Sequence, residues 1–268
     1  MQDSADICVR ILGCGSSGGV PRLGGGWGDC DPFEPKNTRT RCSILVTRET
    51  DQGRTQVLID TSPDMRQQLL AADVRTLDGV LYTHPHADHV HGIDDLRAIS
   101  FNGDQRLDVW MDASTTAAIT HRFGYIFKTP EGSPYPPICV QRLIEGPVTI
   151  TGAGGPITFE PLRVEHGNIS ALGFRFADIA YIPDVSLIPE DVWPQLSGLD
   201  CWIVDALRYK PHPSHSHVAQ TLGWIDRAAP KIAVLTNMHV DLDYQTLGQE
   251  LMAGVTPAFD GMVLRFRA

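Results

Sequence analysis

The stretch that decides the fold is Thr83-His84-Pro85-His86-Ala87-Asp88-His89-Val90-His91-Gly92. Four of the ten histidines of the chain fall inside it. Neutral imidazole is the commonest metal-ligating side chain and binds zinc-like ions directly. The segment leaves an apolar run, Gly79–Thr83 (GVLYT), that reads as a buried strand. At the end of a strand His84 and His86 alternate and project to one side. Asp88 and His89 follow at a turn and can face a second ion. A rigid sheet edge is what good ligand geometry requires. The plain alternative is a solvated histidine-rich turn, but HxHxDH at a strand end is a demanding pattern.

Working outward, Ile7–Leu12, Cys42–Thr47 and Gln56–Ile59 read as strands, the last two as a hairpin turning near Asp51–Gly53. Asp60 ends a strand at a turn. The spacing predicts helices over Pro63–Ala72, Asp94–Ser100, Thr115–Phe123, Val218–Arg227 and Tyr244–Met252. Further strands are expected over Leu107–Met111, Ile157–Val164, Leu172–Phe176, Ile179–Ile182, Cys201–Val204 and Lys231–Leu235. Gly124–Pro137 reads as a long loop. This interleaving suits a layered α/β sandwich, and no composition break divides residues 1–268 into more than one domain. Three of these strands run into further chemistry: Ile157–Val164 towards His166, Ile179–Ile182 towards Asp184, and Lys231–Leu235 towards His239. Taken alone, His166 is as well read as a surface-turn histidine, Asp184 as the cap of a helix over Val185–Asp191, and His239 as a packed histidine.

The formal net charge is -10, the wrong sign for an extended nucleic-acid surface. The six cysteines, Cys8, Cys14, Cys30, Cys42, Cys139 and Cys201, form no CxxC pair and read as reduced, structural thiols. The start, MQDSADICVRIL, has no basic apolar leader, and no apolar run reaches bilayer length. A cytoplasmic protein is the expectation, with a homodimer left open. Gly13, Gly15 and Gly18 spell GxGxxG after a strand, but Gly19-Val20-Pro21-Arg22 opens no helix and no acidic strand end follows. A tight loop over a metal site is the better reading than a dinucleotide cradle.

THPHADHVHG resembles the HxHxDH signature of the metallo-β-lactamase superfamily, and the order of motifs from about Val9 to about Gly261 is similar to that family's. The resemblance implies a four-layer αββα sandwich, two mixed sheets flanked by helices. It implies two divalent ions, zinc or manganese. One would be bound by His84, His86 and His166, and the other by Asp88, His89 and His239, with Asp184 bridging. Asp60, in LIDTSPD, would support the ligands from behind, and His91 would hold no ligand role.

ILGCGSSGGVPRLGG, NTRTRCSILV, DALRYKPHPSHSH and LTNMHVDLDY resemble one branch. It holds the phosphoribosyl cyclic phosphate phosphodiesterases of phosphonate degradation and lies near the tRNA 3′-processing endonucleases. Where the former carry a structural zinc on a cysteine cluster, this chain keeps only Cys30, with Leu242 at the distal histidine, so no structural zinc is expected. Asn237 stands where relatives carry a histidine. The implied activity is hydrolysis of a small phosphorylated substrate, a cyclic phosphate or nucleotide-like phosphodiester, by a water shared between two ions. His215 is the candidate acid for the leaving group and Asp88 a proton relay. A solvated turn ahead of a helix is the alternative for HPSHSH. Arg208, Lys210 and Tyr125 are weaker substrate-side candidates, with Arg122 and Phe127 in the same covering region. Hydrolysis of a lactone, thioester or β-lactam, tRNA 3′ processing, and a non-catalytic metal-binding role are the competing readings.

Overall fold

The computed structural model describes residues 6–267. Residues 1–5, part of the segment read for a leader, lie outside the described residues. The chain forms two compact units: residues 6–12, 43–158 and 263–267 make the first, and Gly13–Cys42 with Phe159–Met262 the second.

The strands are β1 Asp6–Gly13, β2 Ser43–Thr50, β3 Gly53–Ile59, β4 Gly79–Leu81, β5 Leu107–Met111, β6 Cys139–Leu143 and β7 Val148–Gly152. They continue as β8 Gly155–His166, β9 Ile169–Phe176, β10 Ile179–Ile182, β11 Cys201–Asp205, β12 Ile232–Thr236, β13 Val255–Pro257 and β14 Val263–Arg267. The helices are α1 Met65–Ala71, α2 Ala87–Val90, α3 Leu96–Asn102, α4 Ala113–Phe123, α5 Val218–Ala228 and α6 Tyr244–Glu250. Two mixed seven-stranded sheets result, in the orders β14-β1-β2-β3-β4-β5-β6 and β13-β12-β11-β10-β9-β8-β7.

In the first sheet β2 and β3 form the expected hairpin, with Leu45 opposite Leu58, and β3, β4 and β5 run parallel. Parallel inner strands are covered on both faces, which is why VLI and GVL read as unbroken apolar runs. Leu58, Val80, Tyr82, Val90, Ile93 and Val109 are all fully buried in the core of this unit. Gly92 is required by that packing: a Cβ there would overlap the Ser62 carbonyl oxygen. In the second sheet β10, β11 and β12 are parallel, whereas β8 and β9 pair antiparallel, with β8 burying Ile157 and Phe159 and then, after a slip at Glu160–Pro161, Leu162, Val164 and His166. Phe159 meets Phe174 and Phe176 with ring centroids 6.4 and 5.3 Å apart. Helix α5 buries Val218, Thr221 and Ile225, the stripe expected of a half-covered helix.

The helix over Val185–Asp191 that would make Asp184 a cap, the alternative reading of that residue, does not form. Val185 N–H instead donates to the buried Asp205 carboxylate (3.1 Å), and the segment turns only into a short 3-10 helix at Trp193–Leu196. The expected helices otherwise stand, with ends shifted by up to a few residues. Strands β6, β7, β13 and β14 lie beyond the sequence reading.

The glycine-rich stretch forms a tight loop. A Cβ at Gly15 would sit 2.9 Å from the Arg39 backbone oxygen. The loop is tied down by Asp260, which accepts from Thr40 N–H (2.7 Å), Thr40 Oγ1 (2.6 Å) and Cys14 N–H (3.1 Å). All six cysteines are free thiols. Cys30 packs with Val20, Val240 and Trp27, while the Arg39 guanidinium beside it donates to the Leu242 carbonyl (2.6 Å). Among the described residues no helix is long and apolar enough to cross a membrane.

Two predictions follow from this packing. Gly92→Ala forces an overpacked contact and lowers unfolding free energy by about 2 kcal/mol, read as a shifted denaturant midpoint at constant slope. The second concerns pH. Burial pushes the Asp260 carboxyl up to about 6 from an ordinary 3.8, so the folded chain holds its proton more tightly than the unfolded chain. Its contribution is complete below the unfolded value and is lost as pH rises towards about 6. Asp260→Asn is expected to flatten the decline in stability across that window.

Candidate active site

In the first unit the ligand-type residues stand around one carboxylate. Asp60 follows β3 in a left-handed backbone conformation (φ 66°) and is fully buried. It accepts from Thr83 N–H (2.8 Å), from the Thr83 hydroxyl (2.8 Å) and from His89 Nδ1 (2.7 Å). Burial raises the Asp60 carboxyl, and the His89 and Thr83 contacts pull it back. Because the single Thr83 hydroxyl proton goes to Asp60, His84 Nδ1 is the donor in its 3.0 Å contact with Thr83 Oγ1. His84 and His89 therefore share one tautomer, with Nδ1 protonated and Nε2 basic. That is the arrangement in which a carboxylate or hydroxyl orients a metal-ligating imidazole.

The rings of His86 and His89 lie 4.6 and 4.3 Å from that of His84, and Asp88 Oδ2 is 3.6 Å from His89 Nε2. His84 and His89 are buried and His86 is exposed. Asp88 and His89 sit in the one-turn helix α2 rather than in an open turn. His91 points out and meets Phe123 edge-on. Arg122 donates to the Pro85 carbonyl (2.7 Å), so the end of α4 braces the motif. Tyr125 donates to Asp94 (2.5 Å), and Phe127 packs on the core. These three residues of the expected covering loop have structural contacts of their own.

In the second unit His166, Asp184 and His215 bring ligand atoms within 4.8 Å of one another. His166 Nδ1–H donates to the Ser214 carbonyl (2.6 Å), so its Nε2 is again the basic nitrogen, 3.8 Å from Asp184. His215 Nδ1 lies 3.0 Å from Asp205 Oδ2 and 3.4 Å from Asp184 Oδ1. Asp205 is fully buried at the end of β11, and burial raises its carboxyl while His215 draws it down. Asp205 directly follows the strand expected over Cys201–Val204, and its contact is with His215, ten residues on.

His239, expected among the ligands of the second ion, is placed otherwise. Its Nδ1 bonds the Asp241 carboxylate and its Nε2 bonds the Arg22 guanidinium. Burial first, then Arg22, Arg208 and His212, press its pKa down to about 4. Asn237 is the β12-end residue that reaches the cluster, its amide donating to Asp184 Oδ1 (3.1 Å) with His215 Nδ1 at 3.2 Å. It does so from a left-handed conformation (φ 59°), and LTNMHV offers a histidine two residues away that draws the eye. Arg208 is turned onto its own loop, donating to the carbonyls of Lys210 (3.1 Å) and Pro211 (2.9 Å), and Lys210 is exposed.

The donor set fits divalent cations: buried imidazoles of fixed tautomer beside carboxylates are what zinc and its neighbours take. Asp60→Asn is expected to weaken metal affinity by about 10- to 100-fold, measured by competition with a chromogenic chelator, while the fold is kept by circular dichroism.

Residues 55–238 match the family described as the beta-lactamase superfamily domain. The chain is similar over 98% of its own length and 98% of the other's to a solved structure described as a new diphosphatase from the PhnP family, at 33% identity and a TM-score of 0.86. It is 34% identical over 258 residues to an octanoyltransferase of Porphyromonas gingivalis, a match that takes in 95% of this chain and 50% of that protein. It is 28% identical over 85 residues to a ribonuclease Z of Deinococcus radiodurans, 31% of this chain and 26% of that protein. The chain thus spans half or less of the curated relatives it matches. On the family match and the shared fold, this chain belongs to the β-lactamase superfamily and has the metallo-β-lactamase fold, with histidine–aspartate clusters that could hold metal ions.

Proposed function

We propose that the chain is a metal-dependent phosphodiesterase acting on a small cyclic phosphate or nucleotide-like phosphodiester. His84, His86, Asp88, His89, His166 and Asp184 would hold two divalent ions, zinc or manganese. Those ions supply Lewis-acid charge and a water of lowered pKa when bound. The observation that carries the reading is His215. Its Nδ1 is held by the buried Asp205 carboxylate (3.0 Å), which sets Nε2 as the nitrogen that gives and takes a proton. Hydrolysis of a phosphodiester expels an alkoxide, and a positioned imidazolium meets that need. Asp205 keeps the ring oriented and stabilises its charged form, and Asp88 serves as a relay for the proton that water gives up.

The diphosphatase likeness at 33% identity supports phosphorus chemistry. The octanoyltransferase name belongs to a protein of which this chain spans 50%, so it does not direct the reading of this chain. A net charge of -10 weighs against an RNA substrate. A non-catalytic binding role leaves the Asp205–His215 pair without a purpose.

His215→Ala is expected to keep its metal and lose about 100- to 10,000-fold in kcat on bis(4-nitrophenyl) phosphate, assayed with zinc and with manganese. His84→Ala is expected to lose metal and activity together. Full turnover by His215→Ala removes it from the mechanism. Hydrolysis of a lactone or a β-lactam but no diester would overturn the substrate class.

A further inference from the structure

We infer that His212 is a further substrate-contacting residue, whose Nε2–H donates a hydrogen bond to a phosphate oxygen of the diester while His215 protonates the leaving group. The inference rests on the phosphodiesterase reading.

His212 lies in the loop that joins β11 to α5, residues 206–217. Two backbone bonds close the base of this loop. Leu207 N–H donates to the Ser216 carbonyl (3.1 Å) and Val218 N–H to the Arg208 carbonyl (3.0 Å). Arg208 braces the inside, donating to the carbonyls of Lys210 and Pro211. Ser214 packs against the β8–β9 turn, where a Cβ on Gly167 would sit 2.8 Å from Ser214 Cβ. A loop tied at so many points holds a side chain with the precision that a substrate contact needs.

The loop also sets the polarity of the His212 ring. Ser214 N–H donates to its Nδ1 (3.3 Å), and Ser214 Oγ lies 3.2 Å from the same atom. A backbone N–H cannot accept, so Nδ1 carries the lone pair and the proton of the neutral ring is on Nε2. His215 is set the other way round, its Nδ1 facing the Asp205 carboxylate (3.0 Å). His217 likewise turns Nδ1 to Gln220 Oε1 (3.2 Å). Of the three histidines in this loop, His212 alone presents a fixed N–H at Nε2. Among the described residues that N–H makes no hydrogen bond, and the ring is half-buried. Partial burial first, then His215 and Arg208, lower its pKa from the ordinary 6.5, so the ring is neutral near pH 7.

Its place gives that donor a task. The ring centroids of His212 and His215 are 5.2 Å apart, with the planes tilted by 51°. Rings so close address neighbouring atoms of one bound group. The oxygens of a phosphodiester are acceptors only, and they sit side by side on one phosphorus. An ester oxygen that meets His215 therefore brings a second oxygen to His212. A neutral donor suits that position. It adds no charge beside an imidazolium, so it leaves His215 able to hold its proton. A hydrogen bond to a charged oxygen is stronger than one to a neutral group, and it tightens as charge builds on the phosphoryl oxygens.

The test separates the two ring nitrogens. Glutamine sets an amide near the place of Nε2 and leaves that of Nδ1 empty, and asparagine does the reverse. On bis(4-nitrophenyl) phosphate with zinc, His212→Asn should lose about 10- to 100-fold in kcat/KM and His212→Gln less than about threefold. His212→Asn should keep the zinc content and circular dichroism of the wild type. In ¹⁵N-histidine protein near pH 7, His212 should show a protonated Nε2 and a bare Nδ1. Inorganic phosphate added to the zinc-loaded protein should shift that Nε2 signal. The opposite order, with His212→Gln impaired and His212→Asn active, reduces His212 to a staple of its own loop and overturns the inference. Equal losses in the two variants, loss of zinc by His212→Asn, or indifference of His212 Nε2 to phosphate overturn it as well. If His212→Asn does not fold, the activity of His212→Gln and the phosphate titration of the wild type decide. A wild-type protein that takes up zinc but cleaves no diester sinks the proposed activity instead, and the phosphate titration still decides the anion contact of His212.

Discussion

A buried carboxylate with three donors holds the first unit's ligand residues in place. Asp60 has no solvent to stabilise its charge, so the Thr83 N–H, the Thr83 hydroxyl and His89 Nδ1–H must do it. Those three bonds tie the end of β3 to the exit of β4 and to helix α2. They also decide, through one hydroxyl proton, which nitrogen of His84 is basic. Asp60 makes these bonds from a left-handed backbone conformation (φ 66°).

The second unit repeats the logic with different parts. Asp205 ends β11 and accepts from Val185 N–H while holding His215, and its own carbonyl takes hydroxyl donors from Ser216 (2.6 Å) and Thr221 (2.7 Å). His166 is oriented by a backbone carbonyl, that of Ser214. A carbonyl acceptor fixes a tautomer without adding charge, whereas a carboxylate also favours the protonated ring. His166 therefore suits ligation, and His215, with Asp205 at its back, suits proton transfer. After Asp184 the chain runs alongside β8 instead of coiling: Ser186 and Leu187 N–H donate to the Glu165 carbonyl (2.7 and 3.3 Å), and Leu187 bridges Glu165.

Legibility followed burial. The ten strands read from the sequence are the inner ones, where apolar runs or alternation mark a covered face. The four that were not read, β6, β7, β13 and β14, are the four edges of the two sheets. β6 exposes Gln141, Arg142 and Leu143, and β14 alternates arginines with half-buried residues. Edge strands carry charge to discourage further pairing, and the same charge erases the pattern by which a strand is recognised.

The clusters divide along the same line. HxHxDH was readable because its members are neighbours in the chain, although β4 ends at Leu81 and the segment leading into α2, not strand alternation, brings the His84 and His86 rings together. Local sequence therefore determined the first unit's candidate ligands and the family. The contacts of Asn237, His239 and Arg22 were set by tertiary structure. Arg22 and His239 are 217 residues apart in the chain, and only folding brings them into contact. One left-handed residue, Asn237, turns the chain so that an amide and not an imidazole meets Asp184. A side chain's neighbours over such distances depend on packing, and no local periodicity encodes them.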